Sequence, residues 1–290
     1  MKHLFAWATA LSARVCLLGL IAVLAACAGN ITPETYLRLT EKLQSKGHLR
    51  VDTAPRDVVY DVRALAENFQ EVAFSYEFHF QGKRLINRRL EKPLKRWRGV
   101  IRYRMDGDGV TDADRAEVAK LTSRLGELTG LAFVPSDGAH DMLITIASAP
   151  DRRRISRMLS ERGLATYRER YDIWRRKPGW LCGATLSSST EDPARLVFAH
   201  VFLAAEITGV LRKSCLHEEV TQSLGLTNDS DTARPSIFNA DHEFAVLTQH
   251  DETLLRLLYD PRLNPGMSAV AAMPIARRIL DGMRPDLSDL

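Results

Sequence analysis

At 290 residues the chain is long enough for one or two domains, and 45% hydrophobic residues suffice to bury a core. The formal net charge is +4; without Lys2 and Arg14 there are 38 basic against 36 acidic residues, or +2. So mild a balance argues nothing by itself; no nucleic-acid partner is expected, because no nucleic-acid-binding motif appears and the start of the chain reads as an export signal. The basic residues gather in 83–104 and 152–177, read either as solvated faces or as contacts with anionic envelope material.

The first residues read as an export signal. Lys2 and Arg14 precede the apolar run 16–26, and no acidic residue occurs before Glu34. That run falls short of the roughly 20 apolar residues a permanent span needs and suits the core of a signal peptide. It ends in Leu24-Ala25-Ala26-Cys27, which resembles the bacterial lipobox. The resemblance implies removal of the preceding signal, acylation of Cys27 and a lipid anchor in the membrane. Ordinary cleavage at Ala26-Cys27-Ala28 is the alternative. Ala28, where an inner-membrane retention signal has Asp, implies the periplasmic side of the outer membrane. Cys16 leaves with the signal, so Cys182 and Cys215 stand together in an oxidising compartment. A disulfide between them is the default reading and free thiols the alternative.

Residues 28–56 are polar with one helical pattern, 33–46, and read as a tether. Residues 57–94 read as a strand-rich extension, with aromatic and β-branched residues over 72–80 and a turn at Gln81-Gly82. Alternation over 97–105 predicts a strand with Trp97, Ile101 and Tyr103 on one face and Arg98, Arg102 and Arg104 on the other. Asp106-Gly107-Asp108-Gly109 is a turn that lacks the remaining ligands of a calcium loop. Thr111 or Asp112 caps a helix over 113–129, which Gly130 stops. Short strands follow at 131–134 and 142–147. Residues 152–176 read as one long basic helix, 182–187 and 195–205 as strands, and 210–224 as a helix after Gly209.

The residues that could carry chemistry lie in Cys215-Leu216-His217-Glu218-Glu219-Val220-Thr221-Gln222-Ser223-Leu224-Gly225-Leu226-Thr227-Asn228-Asp229. A zincin needs two ligands at i and i+4 on one helical face and a glutamate beside the first. His217-Glu218 fails as a start, because Thr221 occupies the second position. Aligned on Leu224-Gly225-Leu226, the segment resembles the metzincin metallopeptidases. In that register Glu218, Gln222 and Asn228 take the metal-ligand positions and Glu219 that of the general base, while Gly225 turns the chain and Asp229 follows the third ligand. Ser236-Ile237-Phe238-Asn239 resembles the family's methionine turn, with Phe238 in place of methionine. Residues 249–259 resemble its closing helix, and 195–205 fall where it has the strand bordering the cleft. The pattern also resembles an uncharacterised proteobacterial family with this Glu-Glu-x-x-Gln helix (DUF2927-like).

The resemblance covers about 95–262 and implies an α+β, zincin-like domain at 95–265: a mixed twisted sheet, a backing helix, the site helix and the closing helix, followed by a tail at 266–290. All three expected histidines are missing. Oxygen donors suit magnesium, calcium or manganese better than zinc, so the cofactor is either none or one divalent ion. The expected function is an envelope lipoprotein whose degenerate cleft, including Gly225, Asp229 and Phe238, holds an extended peptide or cell-wall ligand. The alternative is a metal-dependent peptidase or amidase with Glu219 as general base.

Overall fold

In the computed structural model, residues 33–81, 84–175 and 181–283 are described; the export signal and Cys27 lie outside them. The fold is α+β. Eight helices among the described residues surround a five-stranded mixed sheet of order β4-β3-β5-β7-β6. Its strands are β3 (Val100–Asp106), β4 (Ala132–Pro135), β5 (Met142–Ala147), β6 (Cys182–Ser188) and β7 (Leu196–Ala204). All neighbours run parallel except β6, which pairs antiparallel with β7 at one edge.

The helix between β3 and β4, α3 (Asp112–Thr129), starts on a capping box between Thr111 and Asp114 and ends at Gly130 with φ 72°, as its sequence signals predict. The expected single helix over 152–176 is two, α4 (Asp151–Glu161) and α5 (Ala165–Trp174). Gly163, at φ 73°, turns the chain between them in a conformation other residues adopt at a cost. Their Ile155, Leu159, Tyr167, Tyr171 and Trp174 close over Leu143 and Phe202 of the sheet. The site helix α6 (Gly209–Gln222) packs on β6, β7 and α3. Alternation puts it on the other face, and the Cys182–Cys215 disulfide ties β6 to it.

The strand expected to border the cleft, 195–205, contributes Leu196 and Phe202 to the cavity but is not the edge of the sheet. β7 is paired on both sides, by β5 and β6. Its continuous apolar run Val201-Phe202-Leu203-Ala204 belongs to a strand covered on both faces. The edge strand is β6, whose smaller and more polar sequence suits a half-covered position.

The expected tether and tail are also parts of the body. Tyr36 of α1 (Pro33–Ser45) is buried, and Arg50 bridges to Phe244, with Ala245 N donating to Arg50 O at 2.7 Å. In 57–94 a helix, α2 (Val62–Ala73), precedes the hairpin β1 (Ser75–Gln81) and β2 (Arg84–Glu91). The tail contains α8 (Ala269–Gly282), whose buried Ala272, Met273, Ala276, Ile279 and Leu280 recur at helical spacing and face α2 and α7 (Gln249–Leu258).

Candidate functional site

Helical geometry puts Gln222 on the same face as Glu218 and Glu219, at i+4 and i+3. All three line a cavity of about 720 Å³ between α6, the edge strand β6 and the β1–β2 hairpin. Asp229 lines it too, as do Tyr76, Glu77, Lys95, Arg170, Trp174, Thr185 and His242.

The chain reaches Asp229 through the turn at Gly225, where φ is 124° and an added Cβ would lie 2.3 Å from the Lys95 carbonyl oxygen. Only glycine fits there, as the sequence pattern implied. Carbonyls at the end of a helix have no partner within it. Here the Trp97 indole donates to Ser223 O (2.8 Å), Tyr259 hydroxyl to Leu224 O (2.9 Å), and the buried Lys92 ammonium to Gly225 O (3.1 Å) and Ala73 O (2.5 Å). Burial pushes the Lys92 ammonium down to about 7. Tyr259 is therefore structural, holding the end of the site helix.

The Gln222 amide donates to the Asp229 carboxylate at 2.7 Å. Burial, opposed by that bond and aided by Asp231, pushes Asp229 up to about 7. Glu218 and Glu219 are 7% and 6% exposed. Burial pushes both well above the ordinary carboxylate range. Asp229, Glu219 and Glu77 add to this at Glu218, and Asp229 and Glu77 at Glu219. Every charge acting on the pair is thus negative. Such a group takes up a proton rather than remain a buried anion.

Of the expected ligand positions, Glu218 and Gln222 share the cavity with the expected base Glu219, whereas Asn228 is buried outside its lining and donates its amide to the Asp229 carbonyl at 2.6 Å. Phe238 is fully buried. Its turn is pinned by Asp251, which accepts from Ser236 Oγ at 2.5 Å and from Ile237 N at 3.2 Å. Asp251 also closes the capping box of α7 with Thr248, so the cap itself is Thr248, three residues before it.

The donor set does not fit zinc. His217 points away from the cavity: its Nδ1 accepts from Leu247 N (3.1 Å), which leaves Nε2–H for Glu117 (2.9 Å). His250 is fully buried against Asn68, and Cys182 and Cys215 are joined. Among the described residues no three His, Cys, Asp or Glu side chains form a group that could hold a metal ion.

The far wall was not read from the sequence. Tyr76 and Glu77 come from the aromatic segment 72–80, legible as a strand but not as a cleft wall, and Trp174 comes from what read as the end of a basic helix. The outer edge of β6 completes the site. Ala204 N–H bonds to Leu181 O at 3.0 Å, so alternation turns the main-chain groups of Cys182, Ala184 and Leu186 away from β7. Arg170 reaches Leu186 O at 3.5 Å.

Residues 62–278 match the family described as "Protein of unknown function (DUF2927)". No curated protein matches the chain.

Proposed function

The chain belongs to that family, whose description assigns no function, and from this premise we propose that it is an envelope lipoprotein with a zincin-like cleft that binds an extended peptide or cell-wall ligand without turning it over. One observation carries the reading: the edge of β6, which no strand pairs among the described residues, opens on the same cavity as the carboxylates of α6. Strand addition to such an edge supplies main-chain hydrogen bonds, and the neighbouring pocket supplies side-chain selectivity. The zincin-like part rests on the mixed sheet, the backing helix α3, the site helix α6 with its Gly225 turn and the closing helix α7. Export with a lipid anchor at Cys27 is supported by the Cys182–Cys215 disulfide, a bond typical of oxidising compartments.

The hydrolase reading is the weaker one. A general base must be ionised, and the surroundings of Glu219 favour its protonated form.

Hydrogen exchange tests the proposal. A mixed decapeptide library, added at millimolar concentration to the purified protein, should slow the outward amides of Cys182, Ala184 and Leu186. A backbone N-methylated library should not. Peptide binding that leaves these amides unchanged would refute strand addition.

A further inference from the structure

Glu218 and Glu219 project from α6 into the cavity and are more than nine-tenths buried. No hydrogen bond or ion pair engages either carboxylate among the described residues. The charged groups acting on them are Asp229, from the chain beyond Gly225, and Glu77, from the hairpin opposite; the cations of the same lining are engaged elsewhere, Lys95 with Ser188 Oγ and Arg170 with Leu186 O. A protein that held such carboxylates for stability alone would pair them, because an unpaired buried polar group costs free energy. Among the described residues, Trp174 Nε1 and Thr185 Oγ1 of the lining are buried polar atoms without a hydrogen-bond partner. They come from α5 and β6, independently of the acidic group. The cavity thus offers acceptors on its α6 wall and a donor on the wall formed by α5, in a volume suited to a small ligand or a short stretch of chain.

We infer that the cleft selects a peptide carrying a protonated primary amine, seated against the carboxylates of Glu218, Glu219 and Asp229, with a carbonyl of the same ligand accepting from Trp174. This rests on the peptide-cleft reading and names its substrate class. An ammonium has three donors that can meet carboxylates one at a time in varied directions. A bare metal ion instead requires several ligands converging on one point, which no three His, Cys, Asp or Glu side chains among the described residues supply. A bound ammonium draws the acidic group into its ionised form and pairs with it, whereas a neutral or acidic side chain leaves the group protonated and gains no ion pair.

The test is equilibrium binding of three capped pentapeptides to the purified protein at pH 7.5: Ala-Ala-Lys-Ala-Ala, the same peptide with acetyl-lysine, and the same with glutamate at the centre. The lysyl peptide should bind at least ten-fold more tightly than the acetylated one, and the glutamyl peptide most weakly. In the double variant Glu218→Gln, Glu219→Gln the preference should vanish while the weak binding of the acetylated peptide persists, which also shows that the variant is folded. Equal binding of lysyl and acetyl-lysyl peptides to the wild type would overturn the inference and leave the peptide cleft standing. Stoichiometric manganese binding that blocks the lysyl peptide would overturn it in favour of a metal. No binding by any of the three, with the β6 amides unprotected, would overturn the inference and the cleft reading together.

Discussion

Asp229→Asn removes one carboxyl from the cleft and keeps an oxygen to accept from Gln222, so it isolates the electrostatic cost of the acidic group. The carboxyl rises from an ordinary 3.8 to about 7 on folding. Its neutral form is the one the fold favours, so its contribution to stability is complete below about pH 4. That contribution is lost progressively up to about pH 7 and is absent above. Each pH unit in that window corresponds to about 1.4 kcal/mol, giving about 4 kcal/mol in all. Asp229 is only half-buried, and solvent screening reduces the expected value to about 2–3 kcal/mol. Urea denaturation of wild type and variant from pH 4 to 8 is the assay. The ion-paired carboxylates Asp141 and Asp151, held below their ordinary range, destabilise both proteins alike as pH falls. They cancel in the difference between the curves. The variant should match the wild type at pH 4 and exceed it by about 2–3 kcal/mol at pH 8. Parallel curves, or a variant less stable at pH 8, would refute the claim that burial holds the Asp229 carboxyl above its ordinary range.

Further outcomes follow from the same structure. Cys182→Ser with Cys215→Ser opens a link across 33 residues and should cost about 4 kcal/mol on loop entropy, read by urea denaturation beside the untreated and reduced wild type. Gly225→Ala should cost more than about 2 kcal/mol, because a side chain there meets both an unfavourable φ and the Lys95 carbonyl; a Tm within a degree of wild type would contradict this. Lys92→Met should cost about 2–4 kcal/mol by leaving the Ala73 and Gly225 carbonyls without their donor, measured by chemical denaturation. Protein dialysed against zinc should retain far less than one equivalent by elemental analysis, with no difference between wild type and Glu218→Ala.

The α+β class and many elements of the sheet region were legible because their signals are local. The alternation over 97–105, the Thr111 cap and the Gly130 stop each concern a few neighbouring residues. Gly225 was readable for the same reason: a sharp turn after a helix needs one residue type. The edge of the sheet was not. Whether β6 or β7 lies outermost is a question of strand order, and both carry β-forming residues. The split at Gly163 was missed because the apolar stripe continues through it. The tail failed for a different reason: Ala272 and Ala276 are weakly apolar, and their spacing becomes meaningful only once α2 and α7 present a surface to cover. At the site, α6 placed Glu218, Glu219 and Gln222 together by periodicity alone. Asn228 was assigned by alignment with a family pattern, and the structure turns its amide to the Asp229 carbonyl instead.

An unpaired strand at the margin of a sheet is ordinarily a route to self-association, since two such margins can zip together. Here β6 shares its cavity with the hairpin residues Tyr76 and Glu77 and with Arg170 and Trp174 of α5. The guanidinium on Leu186 O further shortens the run of groups open to pairing. On the proposed reading, the walls that receive a guest strand would also hinder a second copy from pairing at this edge, and trimming the hairpin is the change that would expose it.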